Sequence, residues 1–237
     1  WSLVVAVSAI GFVNYVLVRK YQGSGYAVTG FFGGLVNSTA VVAEMAERAA
    51  GRDELLDVAV GSILLANAAM ALRNAALVAV FVPEAALVVG APLGAITLAG
   101  VGLAFWQSEW QTDFETDLTS PFSLRNALTF GALFLVVLAI SAGAERSFGA
   151  TGFVATSFLA GLVSSGTAAT TAVSLLGTDQ ITVDTAVAGI IAGTASSIVV
   201  KTVFAASMSR ELVRPVLAWN LVLIAVGLLV GVPAVSL

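Results

Sequence analysis

Apolar runs of about 20 residues follow one another along this chain, and each is long enough to cross a bilayer as a helix. Only short polar breaks separate them. In hydrocarbon every backbone N–H and C=O has to be bonded within the protein, so only helices and closed barrels can span. Runs of this length are helical. Charged residues make up 10% of the chain, against about 25% in soluble domains, so no water-facing shell can be built. With 59% hydrophobic residues and a mean hydropathy of +1.01, the expectation is an all-α, polytopic transmembrane helix bundle. It would be a multi-pass protein of the plasma membrane, with the lipid bilayer as its first partner.

Eight segments are expected. The first runs from about Ser2 to Val18 and stops at Arg19 and Lys20, and the second spans about Tyr26 to Ala46. A polar loop from Glu47 to Asp57 leads to a third, ending at Val82, and Pro83-Glu84 separates it from a fourth that ends near Trp106. The later segments are Phe122–Gly143, Ala150–Leu176, Thr182–Ser207 and Leu212–Val235. Residues 107–120 form an acidic linker carrying Glu109, Asp113, Glu115 and Asp117, with Trp106 and Trp110 as interfacial anchors. The expected organisation is a first membrane repeat at 1–106, the linker, and a second membrane repeat at 121–237.

The duplication is read from an offset of 127 residues. Gly30 falls on Ser157, Gly34 on Gly161, Asn37 on Ser164 and Asp57 on Asp184. Two architectures fit. If every segment crosses, eight helices form two repeats of four. If the motif segments re-enter, two inverted repeats of three crossings result. The distribution of Arg and Lys favours the second, since only Arg146 is then separated from the other loop cations. Segment length favours the first, which is the expectation adopted.

The repeated stretch is Gly30-Phe31-Phe32-Gly33-Gly34-Leu35-Val36-Asn37-Ser38-Thr39, answered by Ser157 to Ala168. Gly30, Gly34, Ser157 and Gly161 lie on small-residue faces that let helices approach closely. Asn37, Ser38 and Thr39 correspond to Ser164, Ser165 and Thr167, with an extra Gly166 among the hydroxyls. Such polar density at mid-segment favours a π-bulge or an unwound turn, with Gly166 as the expected point of the break. It could equally serve helix packing alone.

Two cations interrupt apolar segments. Arg73 is followed by Asn74, and Lys201 falls opposite Asn74 at the same offset. A charge at helix centre costs at least about 2.5–3.5 kcal/mol, so it usually faces the bundle or a polar path. Lys201 could instead snorkel towards the Ser207 end. Glu44 could pair with Arg73 or lie at a solvated helix end, and Asn67 and Asn220 are lesser intramembrane candidates. Asn37, Ser38, Thr39, Arg73, Asn74, Ser164, Ser165, Thr167 and Lys201 form the candidate polar pathway.

The chain has no Cys and no His, which removes disulfides, thiol nucleophiles, imidazole bases and soft-metal sites. No acid–base cluster is apparent, so no enzyme, cofactor, metal site or catalytic residue is expected. No basic cluster suits nucleic acid. The 14 acids against 10 cations, on an Ala/Val/Gly-rich background, suggest a halophile.

Phe31 to Ala40, Leu72-Arg73-Asn74, Ser120 to Leu128 and Gly161 to Ala168 together resemble the MgtC/SapB family, and more narrowly its C-terminal membrane domain of unknown function. The resemblance runs through essentially the whole chain. It implies a further membrane domain ahead of this one, in keeping with the abrupt start at Trp1, and it supplies no catalytic residues. The expected function is an ion or small-solute transporter or channel, or an ion-homeostasis factor. The alternative is a non-transporting regulatory or interaction membrane protein packed as a homo-oligomer.

Overall fold

The computed structural model describes residues 25–108 and 124–235. The expected first segment, Arg19 and Lys20, most of the acidic linker with Trp110, and the start of the Phe122–Gly143 segment lie outside the described residues. All regular elements among the described residues are helical. A short α1 (Gly25–Val28) passes through a π-turn (Thr29–Gly33) into α2 (Gly34–Ala49). Then follow α3 (Leu56–Phe81), α4 (Ala86–Gln107), α5 (Leu124–Val163), α6 (Ser165–Leu176), α7 (Val183–Met208) and α8 (Val213–Val235).

Among the described residues five stretches are long and apolar enough to cross a membrane: Tyr26–Ala49, Asp53–Phe81, Pro83–Gln107, Val183–Met208 and Val213–Pro233. The chain is a helical membrane protein. Leu87, Leu98 and Phe105 on α4 and Leu221, Leu229 and Val232 on α8 are exposed. In water such surfaces would be costly, but lipid tails are as apolar as the side chains themselves. Trp106, also exposed, meets Trp219 edge to face at 5.6 Å, the amphipathic pairing expected near a headgroup level.

The helices fall into two compact units. One contains residues 25–70, 97–108 and 200–223 of the described chain, and the other 71–96, 124–199 and 224–235. In the first unit, the π-turn and α2 lie against α3 through Gly30 and Gly34. A Cβ on Gly30 would stand 2.9 Å from Ser62 Cα, and one on Gly34 would stand 2.5 Å from Ala66 Cα. In the second unit, Ser157 and Gly161 lie against Gly189 and Gly193 of α7. Each of these contacts recurs at the 127-residue offset, and α3 and α7, both 26 residues long, begin at the same offset. Asp57 and Asp184 both sit in a first turn, where a carboxylate offsets the positive end of the helix dipole.

One boundary differs from expectation. A gap was expected between Gly143 and Ala150, but α5 continues through Glu145 and Arg146. It breaks at Gly149, where φ is 61° and ψ is −150°. Only glycine occupies that region readily. The polar residues there are carried on helix, and the change of direction is concentrated in one residue.

Candidate functional site

Both motif segments are interrupted inside the apolar part of the chain. In the first, Asn37 leaves helical geometry at φ −152° and ψ 90°. Its side-chain Oδ1 accepts the Ala40 N–H at 3.1 Å. In the second, Ser164 turns extended at φ −159° and ψ 114°, and its Oγ accepts the Thr167 N–H at 3.2 Å. The two residues correspond at the 127-residue offset, and each caps the amide three residues on. Short polar side chains favour this geometry because they offer the backbone an alternative to its helical partner. The expected break at Gly166 therefore lies two residues earlier, at the residue whose side chain can make the cap. The interruption at Ser164 is an unwound turn, and among the described residues π-geometry occurs instead at Thr29–Gly33, ahead of the first break.

Ser164 ends one helix and begins another. Its own N–H donates to the Ala160 carbonyl at 2.8 Å, and its carbonyl receives the Thr167 and Ala168 amides. The amides of Ser165 and Gly166 are left without the carbonyls that a continuous helix would supply. α6 is almost wholly enclosed, with Ser165, Thr167, Thr170 and Thr171 all buried. Thr170 Oγ1 donates back to the carbonyls of Gly166 and Thr167. The hydroxyls of Ser165, Thr167 and Thr171 have no hydrogen-bond partner.

Arg73 on α3 reaches this same turn. Its Nη2 lies 3.3 Å and its Cζ 3.8 Å from where a Cβ on Gly166 would stand. The extra glycine thus gives a guanidinium close access to the start of α6. The arginine thus lies where the carbonyl end of α5 and the amide end of α6 meet. Neighbouring Asn74 is fully buried, and neither its Nδ2 nor its Oδ1 has a partner.

Lys201 does not snorkel. It is 1% exposed, and its Nζ reaches Asn67 Oδ1 at 3.3 Å and Met70 Sδ at 2.7 Å. Asn67 Nδ2 donates to Asn220 Oδ1 at 3.0 Å, and Asn220 Nδ2 donates to Thr202 Oγ1 at 2.7 Å. Asn67 and Asn220, ranked as lesser candidates from sequence, are the centre of this chain of bonds. Met70 and Thr202 carried no sequence signal beyond being a thioether and a hydroxyl on apolar helices.

The candidate residues thus divide. Arg73, Ser164, Ser165 and Thr167 belong to one compact unit with Asn74, while Lys201 belongs to the other with Asn67, Met70, Asn220 and Thr202. Asn37 and Thr39 are exposed and Ser38 is buried beside the α2 break. Glu44 pairs with Arg48 of its own helix at 2.9 Å, rather than with Arg73. Among the described residues no group of three His, Cys, Asp or Glu side chains converges as a metal site would require.

No curated protein and no solved structure matches the chain. A family model does match, over residues 5–209, and its description is a domain of unknown function, DUF4010. That stretch holds both broken helices, Arg73 and Lys201, and on its extent the chain belongs to the DUF4010 family.

Proposed function

We propose that this membrane protein is an ion or small-solute transporter or channel built on two repeats of four helices. The observation that carries the reading is the pair of helix breaks at Asn37 and Ser164, matched in position and in capping chemistry. Interrupting a helix at membrane depth leaves backbone groups unbonded, at several kcal/mol each. Such interruptions are tolerated where the backbone is enclosed by protein or lines a polar path, and corresponding broken helices in two halves are the usual construction of a transport site. Arg73 and Lys201 would balance charge each within its own unit, with Asn74, Ser165 and Thr167 as further polar groups in the one and Ser38 and Thr39 in the other. The protein is proposed to act without enzymatic chemistry. An MgtC/SapB-like place in ion homeostasis, a halophilic source, a plasma-membrane location, a preceding membrane domain and a homo-oligomeric state belong to the same proposal.

The test is flux across liposomes containing the purified protein, for a panel of inorganic ions and small organic acids. Protein-dependent flux that falls in Arg73→Ala and Lys201→Ala is the expected outcome. Flux equal to that of empty liposomes across the panel overturns transport, and flux unchanged in both variants removes the roles given to those residues.

A second reading, a non-transporting regulatory membrane protein, draws support from the Lys201 network. Its side chains bond one another in a continuous chain, as a group used to lock helices would. Dry packing around Lys201 together with the absence of flux would favour it.

A further inference from the structure

We propose that the Ser164 break is a hydrated site, where bound water bridges the carbonyl end of α5 to the amide end of α6 and serves the buried hydroxyls around it. The proposal rests on the reading of this break as part of a polar path, and it names water as the ligand held there.

The backbone sets the demand. In a continuous helix the carbonyls of Gly161, Leu162 and Val163 would receive the amides of Ser165, Gly166 and Thr167. The turn at Ser164 parts them, and the Thr167 amide is bonded to Ser164 instead. Acceptors from one helix end and donors from the next therefore meet at a single residue. Water inserted into the i to i−4 ladder is one of the few causes of such a break.

The side chains add to that demand. Ser165, Thr167 and Thr171 on α6, Asn74 on α3, Ser157 on α5 and Thr194 on α7 are each at most 3% exposed, and their polar side-chain atoms have no partner. All six belong to one compact unit. Asn74 follows Arg73, whose guanidinium lies beside Gly166. Thr167 and Thr171 stand one turn apart on the same face of α6. Thr194 adjoins Gly193, which packs against Ala168 of that helix. Thr170 shows the alternative, since its hydroxyl donates to carbonyls of its own helix. The other hydroxyls make no such bond. Left dry, buried polar groups in this number would cost as much as the net stability of a typical domain.

The mixture of donors and acceptors selects the ligand. Hydroxyls and the carboxamide do both, and the backbone offers carbonyls and amides side by side. A cation would satisfy only the oxygens and an anion only the N–H and O–H groups. Water satisfies both, needs only about two to four polar partners, and fits a space of about one probe sphere.

The test is amide hydrogen exchange of the purified protein in lipid nanodiscs, followed by mass spectrometry over peptides that divide α6. The unbonded, wet amides of Ser165 and Gly166 should exchange fast, and those of Ala169 to Thr171, bonded within the helix, slowly. Thr167→Val/Thr171→Val removes hydroxyls that share the water and should slow the fast amides by about fivefold for each bond lost. Thr170→Val should leave them unchanged. Ser165→Ala repeats the test if the double variant fails to fold. Slow exchange at Ser165 and Gly166 overturns the proposal. Fast exchange that the variants lacking an unbonded hydroxyl leave unchanged, or that Thr170→Val slows equally, overturns it too. The outcome is separate from transport: a wet break without flux keeps the site and removes the path, and flux through a protein whose break is dry does the reverse.

Discussion

Asn37 and Ser164 interrupt their helices in the same way, yet their surroundings have diverged. The first cap is exposed, follows a π-turn and leads into a helix whose far end carries the Glu44–Arg48 ion pair. The second is half-buried and opens a helix that is enclosed on nearly every side. Only the second copy has the inserted glycine that admits Arg73. One sequence pattern thus supports a helix break that is locally satisfied in one half and leaves the hydroxyls of Ser165 and Thr167 without partners in the other. Shared geometry accounts for the fold, and the departures from symmetry point to where a ligand would be held.

The closest helix contacts should give the largest effects. A Cβ on Gly34 would sit 2.5 Å from the backbone of Ala66, and one on Gly161 would meet the backbone of Gly193 and Ser196 Oγ still more closely. Overpacking of this kind typically costs about 1–3 kcal/mol, and backbone on the far side leaves little room to relax. Gly34→Ala is expected to reach the upper end of that range and Gly161→Ala to exceed it. Thermal unfolding in detergent checks the order, and equal, small shifts would break the argument that both copies depend on close approach.

The next contrast sets Asn67 against Asn74. Asn67 bonds both Lys201 and Asn220, whereas both polar atoms of Asn74 lack partners. Removing one member of a bonded buried network leaves its partners unpaired, at about 1–3 kcal/mol, while replacing an unbonded polar group by an apolar one can be neutral or stabilising. Asn67→Leu should therefore lower the unfolding temperature, and Asn74→Leu should leave it unchanged or raise it. If Asn74→Leu also abolishes flux, the unbonded amide is retained for function rather than for stability.

A smaller difference is expected between the caps. Losing an N-cap costs about 0.5–2 kcal/mol. Ser164→Ala should fall near the top of that range because its amides are enclosed, and Asn37→Ala near the bottom because, on the proposed reading, water in the polar path can reach the more open turn. Unfolding temperatures of the two variants, measured side by side, would show whether enclosure sets the value. Reversal of the order would mean that the first break, not the second, carries the greater load.

The helical class and an interruption among the hydroxyls at 164–167 were legible because they are local. Apolar length gives the spans and the hydroxyls announce a break by their chemistry, whereas the break at Asn37 was seen only in the structure. A boundary between Gly143 and Ala150 was legible from Glu145 and Arg146 interrupting the apolar pattern, but its confinement to Gly149 was not, since helix can carry both charged residues up to that point. Nor was the Lys201 network, whose partner Asn67 is 134 positions away. Pairing of that range depends on how helices pack, and a single sequence carries no record of it. The break moved from Gly166 to Ser164 for an equally physical reason: a glycine permits a bend, but a serine oxygen satisfies the amide that the bend exposes.

The smallest effect concerns the surface feature that only the first copy carries. Glu44 and Arg48 are one helical turn apart and partly exposed, and at the 127-residue offset their places are taken by Thr171 and Leu175, both buried. An i,i+4 ion pair is worth about 0.3–0.5 kcal/mol. Glu44→Gln should therefore shift the unfolding temperature only slightly, and the shift should disappear near 1 M salt, where the screening length falls to about 3 Å. A shift several times larger, or one indifferent to salt, would place Glu44 in an environment like that of Thr171. The first copy would then hold a buried polar path of its own, and the contrast between a satisfied break and a ligand-holding one would fail.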